Sequence, residues 1–248
     1  MNESNLDLRD YEYKEIERVE TPEVFKLDVS TLTVKNQGTV NSCVAHALSS
    51  LLEYFYKTVY SVGFIYGYRP EGYYQGCGMS LRDGLKTIYN VGAIENEYFD
   101  YNLEMQEIKE LVSKDLVKLD MLKDDVVIDS FGKLKNIEEI KSWIYKYKLP
   151  VPILVPTTEL ELVDNIIQIP RMYSNAGHCM LVVGWNELGL LVLNSWGIDW
   201  GNKGYAILPY EFDIKESFKL EDIENFINSN SNNISTFLDI LKTLFALG

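Results

Sequence analysis

Three residues far apart in this chain have the side chains that thiol-based acyl transfer requires: a cysteine, a histidine and an asparagine. Cys43 follows the loop Val34-Lys35-Asn36-Gln37-Gly38-Thr39-Val40-Asn41-Ser42 and opens a run of helical character. A helix start presents unpaired N–H groups and about half a positive charge, both of which favour thiolate over thiol. With only two histidines in the chain, the choice of base is narrow. His178 follows the turn Asn175-Ala176-Gly177 and enters an apolar strand, where a side chain can project into a cleft. His46 lies three residues past Cys43 and follows the apolar helix face, so it reads as a hydrogen-bonded structural residue. Asn194 ends another apolar strand and precedes a turn with two Trp-Gly pairs, Trp196-Gly197 and Trp200-Gly201. Its side-chain oxygen can accept a hydrogen bond from the histidine and fix its orientation, with Trp196 covering that bond from water. Each residue also has a plainer use, as loop histidine, turn asparagine or packing tryptophan.

Helices and strands must bring these residues together. Val44, Ala47, Leu48, Leu51, Leu52, Phe55 and Tyr56 recur at helical spacing from Cys43 to about Tyr60. Ser80 caps a further helix that Gly92 ends. Residues 104–124 and Asn136–Tyr147 have helical character, the latter with Ile137, Ile140, Trp143 and Ile144 inward. Short apolar runs then follow at 151–155, 179–185, 189–193 and 204–208, bounded by turns, as strands are. Residues 1–33 read as an irregular arm. Phe218–Asn228 is amphipathic, 228–233 is a polar hinge, and Ile234–Leu247 is an apolar helix candidate, too short at about 14 residues to span a bilayer and expected to dock on the body. The order of elements predicts an α+β fold of two lobes. A domain over 1–215 comprises a helical lobe at about 34–125 and a β lobe at about 126–215 with part of the N-terminal arm. A C-terminal amphipathic helical tail occupies 216–248.

At 248 residues, 46% hydrophobic and 24% charged, the composition is that of a globular protein with a full core. A net charge of −14 argues against nucleic acid or an anionic membrane as partner. The N-terminus lacks the basic and apolar regions of a signal peptide, and no run is long enough for a membrane span. Three cysteines, Cys43, Cys77 and Cys179, fit reduced thiols better than a disulfide framework, so the expected location is cytoplasmic or virion-associated.

Taken together, Gln37-Gly38, Ser42-Cys43, Gly177-His178, Asn194-Ser195-Trp196-Gly197, Trp200-Gly201 and Gly204-Tyr205 resemble the papain-like (cathepsin-type) cysteine peptidases. Positions 43 and 178 lie 135 apart and 43 and 194 lie 151 apart, close to that family's separation of about 130–150. Leu6-Asp7-Leu8-Arg9 and Ser80-Leu81-Arg82-Asp83-Gly84 resemble the bacterial and viral branch. The resemblance implies a papain-like two-lobe fold, a helical lobe and an antiparallel β-barrel-like lobe with the active site in the cleft between them. It implies Cys43 as nucleophile, His178 as base, Asn194 as orienting group, and Gln37 with the Cys43 backbone N–H as oxyanion hole. Gly78 matches the family's substrate-pairing glycine, with Cys77, Gly177 and Trp196 as further substrate-side residues. The implied partner is a peptide or protein substrate cleaved as by an endopeptidase, with neither metal nor cofactor.

The chain departs from the family at Val40, where many members carry a disulfide cysteine, at Val44 in place of an aromatic residue, and at Asn41 in place of glycine. The 36 residues before Gln37 are too few for the family's long inhibitory propeptide. Two other readings stay open: a transpeptidase or amidase using the same triad, and a binding protein that keeps the fold without turnover.

Overall fold

The long strand that carries His178 organises the β lobe, and the helix that begins at Cys43 packs against it. A computed structural model describes residues 16–69, 78–97, 130–157, 160–173 and 175–221. Helix α1 (Cys43–Tyr56) buries the expected stripe of Val44, Ala47, Leu48, Leu51 and Leu52 and also every residue between them through Glu53, so this stretch is covered on all sides. It ends at Lys57 in the left-handed region (φ 61°), whose N–H closes on Glu53 O. Helix α2 (Val62–Gly67), wholly buried, continues where the sequence predicts the end of the first helix. Helix α3 (Leu81–Val91) is capped by Ser80, whose Oγ accepts from Asp83 N at 3.1 Å, and stops at Gly92 (φ 88°).

Helix α4 (Ile137–Tyr147) belongs to the β lobe. Asn136 caps it, Glu138 and Glu139 stand in its first turn and Lys146 in its last, matching the helix dipole at both ends. Ile140, Trp143 and Ile144 are buried as expected.

Nine strands form one sheet among the described residues: β1 (Phe25–Lys26), β2 (Ser130–Lys133), β3 (Val151–Thr157), β4 (Leu162–Val163), β5 (Ile166–Ile167), β6 (Ala176–Asn186), β7 (Gly189–Leu193), β8 (Tyr205–Pro209) and β9 (Glu216–Glu221). Their order is β2-β9-β3-β6-β7-β8-β5-β4, with β1 also pairing β6. The sheet stays open, and one pair, β5 with β8, is parallel through Ile166 and Ile207. The long β6 serves three partners. Residues 176–182 pair with β3, Gly184 and Trp185 pair with β1, and residues 181–186 pair with β7, where the register shifts between Val182 and Gly184. A Cβ at Gly184 would lie 2.3 Å from Phe25 O, so glycine permits the approach of β1.

One expectation fails here. Residues 216–221 form a strand rather than the start of a helical tail, and β9 pairs with both β3 and β2. Glu216, Ser217, Phe218, Lys219 and Leu220 are all buried, so β9 is covered on both faces and lacks the one-sided exposure that the amphipathic reading of 218–228 expects. The rest of the tail, the helical stretch at 104–124 and the boundary near 125 lie outside the described residues. Among the described residues no helix is long and apolar enough to cross a membrane.

Candidate active site

The strand β6, which carries His178 and Cys179, packs against α1, the helix that Cys43 begins. Cys43 is the first residue of α1 and half-buried. Its sulfur takes N–H contacts from Cys179 and from the backbone of Val44 and Cys43 itself. Burial is the larger influence and raises this thiol above its ordinary value, with the three N–H groups opposing. For the thiol taken alone, then, the expected depression by the helix start is overturned, because desolvation of the charge outweighs the helix end.

His178 is 4% exposed, two residues into β6, and paired with Val155 across the sheet. Its Nε2 lies 2.7 Å from Asn194 Oδ1. The carboxamide oxygen only accepts, so Nε2 carries the proton and Nδ1 the lone pair. Burial pulls the His178 pKa down to about 4, while the Asn194 bond works in the opposite direction. The Trp196 indole lies over the imidazole at 4.7 Å between centroids, and Trp200 meets Trp196 edge-on at 5.7 Å. Asn194 is itself fixed: Oδ1 also accepts from Ser195 N at 2.8 Å, and its own N–H donates to Gly204 O at 3.0 Å.

Gln37 reaches the same place from the other side. Its N–H donates to Ser195 O at 2.8 Å, its Oε1 accepts from Ser195 Oγ at 2.7 Å, and its Nε2 donates to Val40 O at 2.9 Å. One of the two Nε2 protons is thus engaged, which leaves the other for a ligand.

Of the other sequence candidates, Gly177 adjoins His178 in β6, opposite Pro156. Gly78 (φ 87°) precedes α3 and donates its N–H to Tyr66 Oη at 3.1 Å; among the described residues the triad's hydrogen bonds do not reach it. Cys77 lies outside the described residues. His46 is buried, with Nδ1 3.0 Å from Ser42 O and 3.2 Å from Ser42 Oγ. A concavity of about 680 Å³ between Lys133–Ile140 and Phe212–Ser217 has no triad residue in its wall.

Sequence reasoning missed Lys35 and Glu53. They form a buried ion pair that also engages Ser50 Oγ at 3.1 Å and Thr33 N at 2.8 Å, and so ties the Gln37 loop to α1. The available signal was a polar stripe on α1, with Glu53 at helical spacing from His46, Ser49 and Ser50 on a helix otherwise rich in apolar residues. Ser195 was quoted within the Asn-Ser-Trp-Gly run, but its hold on Gln37 needs a tertiary contact to be seen.

The model of the papain family cysteine proteases matches residues 68–221, a segment with His178 and Asn194 but without the Cys43 loop. An uncharacterized peptidase C1-like protein of Acanthamoeba polyphaga mimivirus is 25% identical over 213 residues, covering 73% of this chain. The chain spans 66% of that relative's length, just under two thirds. Among solved structures, xylellain, a cysteine protease from Xylella fastidiosa, superimposes with a TM-score of 0.71 at 20% identity, covering 87% of this chain and 91% of its own. A cysteine protease of Carica candamarcensis gives 0.58 at 19% identity, covering 79% and 97%. Fold and family model agree: this chain belongs to the papain family of cysteine proteases.

Proposed function

We propose that the chain hydrolyses peptide bonds in peptide or protein substrates through a Cys43 thioacyl-enzyme, acting as an endopeptidase. The observation that carries this reading is the 2.7 Å bond from His178 Nε2 to Asn194 Oδ1, beside a helix that begins at a cysteine. With Nε2 held, Nδ1 is the atom that takes the thiol proton. Burial disfavours each charge alone, so thiolate and imidazolium form together, each supplying the other's counter-charge. The thiolate attacks the carbonyl carbon. The resulting oxyanion receives the second Gln37 Nε2 proton and the Cys43 N–H, which as the first of α1 has no intrahelical acceptor. Collapse breaks the C–N bond, and the leaving amine takes the proton from Nδ1. Water then attacks the thioester, gives its proton to Nδ1, and restores the thiol as the carboxylic acid departs.

Cleavage of a peptide library by the full chain and by Cys43→Ala tests the reading. Hydrolysis confined to the native chain supports it, and retention in the variant overturns it. Iodoacetamide labelling of Cys43 at mildly acid pH, lost in His178→Ala, reports the proton-transfer pair independently of substrate choice. Product analysis with an added amine separates hydrolysis from transpeptidation, since a transpeptidase would yield the new amide instead of the acid.

A further inference from the structure

Asn194 has a second face that catalysis as described above does not use. Its Oδ1 is engaged by His178 and Ser195, but its Nδ2 is buried without a hydrogen-bond acceptor among the described residues, in a residue only 3% exposed. A buried amide N–H in that state is costly, and most such groups in native proteins have a partner, protein or water. Beside Asn194 lies a chamber whose polar walls are Lys35, His46, Ser50, Asn194 and Ser195, with about 10 Å³ open to the centre of a water-sized sphere. That is room for about one water, and the walls are polar enough to hold it. Lys35 Nζ is oriented there by Ser50 Oγ and Glu53. His46 Nδ1, at 3.0 Å from Ser42 O, donates to that carbonyl, which puts the imidazole lone pair on Nε2.

We propose that this chamber binds one water molecule, which accepts from Asn194 Nδ2 and donates to the His46 imidazole, and that His46 is through it a positioning residue for the triad. The inference rests on the catalytic reading above, for the following reason. Flipping the Asn194 carboxamide would turn Nδ2–H towards His178 Nε2. The histidine would then carry its proton on Nδ1, the atom that must take one from Cys43. An acceptor in the chamber holds Nδ2 away from His178 and so keeps the productive tautomer; the wrong tautomer is severely damaging where a histidine serves as base. Ser195 N fixes the oxygen side of the amide, and the water fixes the nitrogen side. His46 is placed for this by the helix that carries Cys43, one turn further on.

A crystal structure of the full-length Cys43→Ala chain, at a resolution that shows ordered solvent, is the direct test. A water within hydrogen-bond distance of Asn194 Nδ2 and a His46 ring nitrogen supports the site. A collapsed chamber, or one without solvent density, overturns it. In the native background, His46→Phe fills the chamber with a ring that has no acceptor, and kcat should fall about tenfold at unchanged KM, below the 10² of a frank misplacement. His46→Asn restores a polar wall and should recover most of that loss. An unchanged kcat in His46→Phe overturns the positioning role. So does an equal loss in both variants that follows their thermal unfolding midpoints. The two readings fail separately: hydrolysis surviving in Cys43→Ala sinks the peptidase assignment, whereas Cys43-dependent hydrolysis with a dry chamber sinks this inference alone.

Discussion

Two histidines buried in neutral form make this protein acid-labile in a window that can be calculated. His46 and His178 both have their pKa lowered from 6.5 to about 4, in each case chiefly by burial. For His46 the charges of Lys35 and His178 add to the depression, while the Ser42 hydrogen bond opposes it. Because the folded-state value lies below the unfolded one, the unfolded chain binds protons first as the pH falls. The stability these groups supply is therefore complete above about pH 6.5 and is lost towards pH 4. Between about pH 7.5 and about pH 5, each histidine costs about 2 kcal/mol of unfolding free energy, or about 4 kcal/mol for the pair. His46→Gln removes one titration and keeps a polar side chain. Urea unfolding of both chains at the two pH values measures the difference, and carboxylates common to both cancel. The native chain should lose about 2 kcal/mol more than the variant over this interval. Equal losses would refute the reasoning, because they would mean that His46 is either protonated in the fold or exposed enough to titrate normally.

Three further outcomes follow from the geometry. Lys35→Met leaves Glu53 buried without its counter-ion and should destabilise the fold by about 3–5 kcal/mol, while Lys35→Met with Glu53→Leu should recover most of it; chemical denaturation of the single and double variants decides. Gln37→Ala removes the proposed oxyanion donor and should lower kcat by about 10²–10³ with little change in KM, read from initial rates on a cleaved peptide. At Gly84 a Cβ would meet Leu48 Cδ1 at 2.6 Å and Val44 Cγ1 at 2.8 Å where α3 crosses α1. Gly84→Ala should therefore cost about 1–3 kcal/mol by overpacking, seen as a lower thermal midpoint.

What could be read without coordinates depended on how local the signal was. The Ser80 cap, the Asn136–Tyr147 helix and the apolar strands of the β lobe announce themselves within a few residues, since caps and periods are short-range. Asn194, Trp196 and His178 were recognisable as types, and their separation from Cys43 matched a known family. β9 was misread because its run is short and its polar residues Glu216, Ser217 and Lys219 are buried as well, so no one-sided pattern marks the strand. The strands β1, β2, β4 and β5 are two to four residues each, too short for any period. Lys35 and Glu53 escaped notice because a buried ion pair is visible only once both ends are placed. The thiol's raised pKa was missed for a related reason: a helix start can be inferred from sequence, but burial of the sulfur cannot.

Residues 33–37 explain how two lobes can hold one reaction geometry. Thr33 N and Lys35 Nζ fasten this segment to Glu53 on α1. On its other edge, Lys35 O accepts from Gly197 N at 3.0 Å, Asn36 bridges Trp196, and Gln37 is bound to Ser195 through both backbone and side chain. Gly204 lets it lie close, since a Cβ there would fall 2.4 Å from Val34 Cγ1. The Gln37 amide is therefore located by the same turn that carries Asn194, although it comes from the chain leading into the helix of Cys43. In a small relative displacement of the lobes, Gln37 and Asn194 are held to each other through Ser195, and Lys35 and Glu53 hold that unit to the helix of Cys43. The buried ion pair, which desolvation makes a poor source of net stability, is thus accounted for by position: it is the fastening between the thiol's helix and the loop that would receive the oxyanion.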